Sequence, residues 1–389
     1  LRWDGPECSC REAAASNPFM VSIARFITCP LPFPSTLLHC IASSTPIKPS
    51  TLFLPPQSFP NPSLPTPMSS KPQQESDSTS MENTHLAEDP KTPPLSSYPT
   101  PLSPPLPPIS KQIELSRAMT ASSRSSLFAL SRGDVIFEDQ WLLVVNKPSG
   151  VYCESVLSSA PHLLGQSGDS TGASEVHLAN RLDRDTSGVM VITKSHKVAA
   201  KLVQAFTDHK VQKTYVALCI GSAPRWDRIR LKSGHGRSKF GAWRVYAASD
   251  VGRTLPGGST VRDMETLFEL LSVNGQVCCR EAADCSKGEI KTIVVEEKAL
   301  IDPNQRKDEI LVRAFPKSGR THQIRLHCQH LGIPIKGDVK YGGVSDWKGE
   351  SCDGHALHAA SLAFEHPVTG LSVLFRAPLP LWASQAIQS

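Results

Sequence analysis

The rhythm of apolar and polar residues changes along this chain, and the changes outline its elements. Residues 135–150, VIFEDQWLLVVNKPSG, hold two apolar runs around Glu138 and Asp139 and stop at a Pro-Ser-Gly turn, which predicts a β-hairpin. A Gly- and Ser-rich connection, 165–174, leads to the polar stretch NRLDRDTSG, 180–188, and at once to GVMVITKS, whose unbroken apolar run predicts a short buried strand. Ser195 then caps a helix through Lys210, with Val198, Leu202, Val203 and Phe206 on one side. In VQKTYVALCIG, 211–221, alternation puts Val211, Lys213, Tyr215, Ala217 and Cys219 on one face of a strand, so Lys213 and Tyr215 point the same way.

Residues 226–259 are basic and glycine-rich around SGHGRSKFGAWR. They read as a long flexible arm in which Arg237, Lys239 and Arg244 follow a phosphate backbone while Phe240 and Trp243 stack on bases. An ordinary hairpin with a gripping aromatic is the alternative. Residues 266–271 and 289–296 read as strands, with a loop at 278–287 between them. A further strand, ILVRAF at 310–315, turns at 316–319 and enters RTHQIRLHCQHLG. There Ile324, Cys328 and Leu331 recur at i, i+4 and i+7, and Gly332 precedes Pro334, which predicts a helix with one buried face. Arg325 borders that face, placed to reach inward to a carboxylate.

Composition removes the first 110 residues from this folded picture. They hold 23 of the 33 prolines and bury too little apolar surface to offset chain ordering, so residues 1–110 are expected to be a disordered Pro/Ser-rich tail and residues 111–389 one catalytic domain. Residues 13–72 lack any acidic side chain and are rich in Ser and Thr, which suits a transit peptide for a chloroplast or mitochondrion. Arginine is scarce there, which does not suit one; a plain disordered tail and a cytoplasmic location are the alternative. No apolar run reaches about 18 residues, so no membrane span is expected. The eleven cysteines are scattered without paired CxxC spacing, which argues for reduced thiols.

Charge sharpens the picture. Residues 180–244 carry 14 basic and 4 acidic side chains, a local excess that favours a polyanionic partner. Inside it, Asp183 and Asp185 alternate with Arg181 and Arg184. Neighbouring guanidinium groups hold a carboxylate ionised, which suits a nucleophile or base better than the protonated acid a glycosidase needs. His322, His327, His330, His355 and His358 lack zinc-ligand spacing, and no phosphate loop, dinucleotide fingerprint or GxSxG elbow is present. Neither metal nor cofactor is expected. The residues alone point to a nucleic-acid-binding enzyme with an ionised aspartate, a nearby tyrosine and several arginines.

The segments NRLDRDTSG, QKTYVAL and GRTHQIRLHCQHLGIPIKGDVKYGG, flanked by NKPSG and LHAASLAFEHPVTG, resemble in order the motifs of the RluA-type RNA pseudouridine synthases. The resemblance spans about 134–382. It implies an α+β fold: a mixed, mostly antiparallel sheet with a central RNA-binding cleft and peripheral helices. It also implies a cofactor-free isomerase that converts specific uridines of structured RNA, rRNA or tRNA, to pseudouridine, with a monomer the expected state. By resemblance Asp183 is the catalytic aspartate, Arg325 its partner, Tyr215 the residue that stacks on the uracil, and Arg181 the arginine that fills the space of the flipped base. Arg184, Lys213, Arg237, Lys239, Arg320, His322 and Gln323 complete the candidate RNA-binding set. Asn180 replaces a common His, and Lys336 a common Leu. Two alternatives are weighed: a catalytically silent RNA-binding protein that keeps the fold, and a nucleoside hydrolase.

Overall fold

The computed structural model describes residues 98–165, 175–278, 290–299 and 307–388. Helix α1 (Ser110–Ser126) precedes the hairpin of β1 (Val135–Glu138) and β2 (Leu142–Lys147). Then come α2 (Cys153–Gly165), β3 (His177–Leu178), β4 (Ser187–Thr193), α3 (His196–Thr207), β5 (Gln212–Gly221), β6 (Arg228–Arg237) and β7 (Trp243–Tyr246). They are followed by β8 (Arg262–Val273), β9 (Gln276–Val277), β10 (Lys291–Val294), β11 (Asp308–Pro316) and α4 (Gln323–His330). A small hairpin, β12 (Asp346–Trp347) with β13 (Glu350–Ser351), leads to β14 (Leu357–Glu365), β15 (Ser372–Arg376) and α5 (Leu381–Gln388).

The main sheet runs β1-β2-β4-β14-β5-β11-β8-β6-β10. Its pairs are antiparallel except β4 with β14 and β6 with β10, so the fold is α+β with a mixed, mostly antiparallel sheet. Strands β2 and β4 are apolar on both faces because both are covered. Leu143, Val145, Met190 and Ile192 pack under Val156, Ala160 and Leu163 of α2, while Leu142, Val144, Val189 and Val191 pack under Val198 and Leu202 of α3. In the other half, Ile324 and Cys328 of α4 cover Ala217, Cys219 and Val312, and Ala383 of α5 covers the opposite side of β5 and β11. Tyr215 packs against the cores of both halves, which places it at their seam.

Gly188 shows how closely the halves meet. It pairs with Ala359 of β14 at φ +113°, and a Cβ built there lies 2.2 Å from the Ala359 carbonyl oxygen. The motif glycine therefore lets β4 close onto β14 directly after the NRLDRDTS segment. Backbone strain and a collision with rigid backbone together should make Gly188→Ala lose about 3 kcal/mol or more of stability. Urea denaturation checks this, and a variant as stable as the parent would refute it.

Several expectations change. Neither α1 nor α2 carries a clean sequence signal: α1 fully buries only Ser110 and Ala121, and α2 contains Pro161. The helix after Ser195 ends at Thr207 rather than Lys210; the Ser195 side chain makes no capping hydrogen bond, and Val203 is exposed. The flexible arm is instead the β6–β7 hairpin, built into the sheet against β8 and gripped by His235 stacked on Trp243 at 4.8 Å. Its Arg244 points inward, donating to the Ser103 carbonyl. Residues 98–109 pack on the same strand through the Leu102 N–H to Val245, so the boundary placed at residue 110 falls inside a packed segment. Residues 166–174 and 279–287 of the two expected loops lie outside the described residues.

Candidate active site

Residues 179–186 connect β3 to β4 and are held from beneath by the NKPSG turn. The buried Lys147 ammonium donates to the carbonyls of Pro148, Val151 and Arg184 at 2.7–2.9 Å. Burial lowers that ammonium to about 8, and its carbonyl partners satisfy all three of its protons. Gly150 N–H donates to Arg184 O, Ser149 Oγ donates to Asp185 O, and the Val191 N–H donates to Asn180 Oδ1. Asp185 turns inward and is bound by both Nε and Nη2 of Arg184 at 2.6 and 2.7 Å. Asp183 turns the other way, onto the wall of a cleft of about 1200 Å³, with its side chain 29% exposed.

The electrostatics of Asp183 come from α4. Arg325 is buried and spends Nε and Nη2 on the two carboxylate oxygens of the buried Asp338, at 2.7 and 2.8 Å. Its remaining Nη1 donates to Asp183 Oδ2 at 2.9 Å. Burial pushes the Asp183 carboxyl up, but the Arg325 charge overrides it and holds the group well below the usual carboxylate range. His322 Nε2 lies 3.8 Å from the same oxygen, yet burial and the Arg325 charge lower this imidazole to about 3, so it is neutral at pH 7. His322 occupies a left-handed backbone position at the start of α4, and its Nδ1 shares a 2.7 Å hydrogen bond with the Tyr341 hydroxyl. Arg325 also stacks over the Tyr341 ring at 5.0 Å. A permanently charged, three-way-bonded guanidinium thus keeps one cleft carboxylate anionic without protonating it.

Residues 141–330 match the family described as RNA pseudouridylate synthase. The chain is 61% identical over 295 residues to RNA pseudouridine synthase 1 of Oryza sativa subsp. japonica, covering 75% of this chain and 85% of that protein. It is likewise 61% identical over 291 residues to RNA pseudouridine synthase 1 of Arabidopsis thaliana, covering 74% and 88%. The chain belongs to the RNA pseudouridine synthase family, RluA type. A more distant family member, ribosomal large subunit pseudouridine synthase C of Yersinia pestis, is 30% identical over 259 residues, covering 63% of this chain and 65% of that one.

Within this synthase the candidate residues divide. Asp183, Tyr215, Arg325, Arg181, Lys213 and His322 all line the one cleft. Burial, then the nearby Asp183 charge, raises the Tyr215 phenol well above its ordinary range, so it remains a neutral hydroxyl. Arg181 sits at the rim, 2.7 Å from Glu154. Lys213 donates to the carbonyls of Lys317 and Ser318, so its ammonium fixes the turn before α4. Arg184, Arg320 and Gln323 also reach the cleft lining, but their polar groups are engaged within the protein: Arg184 with Asp185, Arg320 with Asp263 at 2.9 Å, and Gln323 with Glu265, Thr266 and Ser318. Arg237 and Lys239 lie at the hairpin tip away from the cleft lining, against Trp243 and the exposed Phe240.

The GDVKYGG segment supplies Asp338 and Tyr341, which complete the Arg325 site and are absent from the candidate residues above. A buried arginine demands a second carboxylate, and a search for acidic residues near α4 would have found it. His355, which bonds Thr186 Oγ1 at 2.8 Å, also went unassigned. The two departures from the family pattern are structural here: Asn180 bonds β4 backbone, and Lys336 lies 3.7 Å from Glu309. His327 is buried between Ser233 and Thr266. Among the described residues no three His, Cys, Asp or Glu side chains are grouped to hold a metal ion, and no helix is long and apolar enough to cross a membrane.

Proposed function

We propose that Asp183 carries the isomerisation of uridine to pseudouridine in RNA, and that the observation supporting it is the Arg325 bond that keeps this cleft carboxylate ionised. The reaction breaks the bond from uracil N1 to ribose C1′, turns the base, and joins C5 to C1′; the C5 proton leaves and N1 gains one. The Asp183 carboxylate acts at the ribose, either by attacking C1′ or by removing the C2′ proton toward a glycal. Each route begins from the anion. Arg181 leaves Glu154 for RNA and fills the space of the extruded base, which offsets part of the few kcal/mol that unstacking costs. Lys213 and His322 shape the wall, and Arg320, Arg184 and Gln323 hold the loops that present it. Arg237 and Lys239 extend a basic edge along the RNA backbone.

The substrate is structured RNA, rRNA or tRNA, bound by a monomer without metal, cofactor or membrane. The rice and Arabidopsis relatives make this a plant-type protein. Residues 13–72 then act as a leader to a chloroplast or mitochondrion, with the cytoplasm as the alternative. Incubation with RNA carrying tritium at uracil C5 should release label to water and leave pseudouridine in the strand. Bound RNA without release indicates a silent RNA-binding protein, and free uracil indicates a hydrolase.

Tyr215 stacks on the uracil as a neutral phenol whose oxygen takes the C5 proton while its own hydroxyl proton passes to solvent water in the cleft. Tyr215→Phe keeps the ring and loses the relay, so label release should slow about 10²- to 10⁴-fold with RNA affinity within about threefold. An unchanged rate removes the hydroxyl from the chemistry.

A further inference from the structure

Helix α1 lies outside the matched residues 141–330, and nothing in the reaction above uses it, yet it touches the scaffold of the site at two points. Arg117, with its side chain 10% exposed, donates through Nη1 to the Gly337 carbonyl at 2.7 Å and through Nη2 to the Cys352 carbonyl. Gly337 immediately precedes Asp338, the residue that holds Arg325. One turn earlier on α1, Glu114 lies 3.7 Å from Arg117 and 3.5 Å from Nη2 of Arg184. Arg184 immediately follows Asp183. A single helix face therefore grips the chain neighbour of each end of the Asp183–Arg325–Asp338 relay.

Core packing does not account for this grip. Ser110 and Ala121 are the fully buried residues of α1, while Leu115 and Met119 face solvent. A cavity of about 390 Å³ separates α1 from the loop around β12 and β13, with Arg117, Arg124, Asp185 and Asp353 on its walls. The loops it bridges also have no slack. A Cβ at Gly337 would lie 1.9 Å from Gly354 O, and one at Gly354 would lie 2.8 Å from Asp185 Cβ. A shift of either loop is passed directly to Asp338 or to Asp183.

We propose that Glu114 and Arg117 are positioning residues for the reaction, clamping the 183–186 and 337–354 loops so that the last guanidinium nitrogen of Arg325 stays on Asp183. This rests on the reading of Asp183 as the catalytic group. Displacing reacting groups by about 1 Å costs on the order of 100-fold in rate, so a polar clamp remote from the substrate has a large lever.

The test is single-turnover tritium release by the full chain, at enzyme concentrations that saturate the RNA, which reads the folded molecules alone. Arg117→Gln should lower the rate constant about 10- to 100-fold, with half-saturation within about twofold. The acid limb of its pH–rate profile should move upward, because the pairing that holds the Asp183 carboxyl down is loosened. Arg117→Lys retains the charge on a single donor nitrogen and should restore part of the rate, and Glu114→Gln should cost a smaller factor, about threefold. An unchanged rate constant and acid limb in Arg117→Gln overturns the proposal. So does a variant with less folded protein but an unchanged rate constant, since that describes a purely structural helix. Label release by Asp183→Ala overturns the underlying reading instead, and is seen separately from either result.

Discussion

Replacing Asp183 by alanine or asparagine abolishes tritium release from uracil C5, by at least about 10³-fold, while RNA remains bound within a few-fold of the parent affinity. The asparagine variant is the sharper of the two. It keeps the volume and an acceptor for the Arg325 Nη1 hydrogen bond but removes the negative charge, so a loss equal to that of alanine assigns the effect to the anion. The loss of stability should be smaller than for Arg325→Ala, because Asp183 is partly solvated and Arg325 keeps its two bonds to Asp338. Binding that fails along with activity would mean the carboxylate holds RNA rather than acting on it. Activity in either variant would place the chemistry elsewhere in the cleft.

Arg325→Ala should damage stability as well as rate, and in a pH-dependent way. Asp338 is almost completely buried and loses what is, among the described residues, its only charge-bearing hydrogen-bond donor, which costs about 3–5 kcal/mol near neutral pH. In the parent, burial raises the Asp183 and Asp338 carboxyls but Arg325 outweighs it, so both are depressed. Their contribution is therefore present above the unfolded value of about 4 and is lost as pH falls through the depressed folded values. Without Arg325 only the weaker pull of His322 and His355 is left against burial, so the carboxyls rise and the sign reverses: a raised carboxyl binds its proton in the folded state, and stability falls as pH rises. The deficit of the variant should thus be largest near pH 7 and shrink toward about pH 4, as measured by urea denaturation at both. Whatever activity survives should show its acid limb at higher pH. Arg325→Lys should recover little, since one ammonium cannot span Asp338 and Asp183 with the geometry of a fork. A deficit equal at both pH values, with the acid limb unmoved, would show that the pair is not electrostatically coupled.

Legibility in the sequence tracked how local each signal was. Alternation in 211–221 placed Lys213 and Tyr215 on one face because a strand's period of two depends only on its own backbone. The continuous apolar runs of β2 and β4 announced strands buried on both sides. The same rules missed α2, whose Pro161 breaks the helical pattern, and misread residues 226–259, where glycine density suggested a mobile arm. Gly234 and Gly236 are small for another reason: a side chain on Gly234 would collide with Ala247 O and Val261, and one on Gly236 with Leu255. Charge alone also did not show that the Arg184 guanidinium, though at the cleft lining, closes on the neighbouring Asp185.

By itself the chain determined that a carboxylate would stand among guanidinium groups in a short loop feeding a buried strand, and that a helix further on would turn an arginine inward. These are matters of neighbouring residues and of periodicity. That Arg325 meets Asp183 followed in the sequence only from the family resemblance; no local signal specifies the contact, which is made in three dimensions. Asp183 and Arg325 are 142 residues apart and meet because β14 inserts between β4 and β5, bringing the seam of the sheet beneath both. Asp338 stands 13 residues beyond Arg325 in the chain, but only packing makes it the buried second carboxylate that lets this guanidinium serve the first. Burial makes an unpartnered charge costly, and burial is a property of the packed molecule.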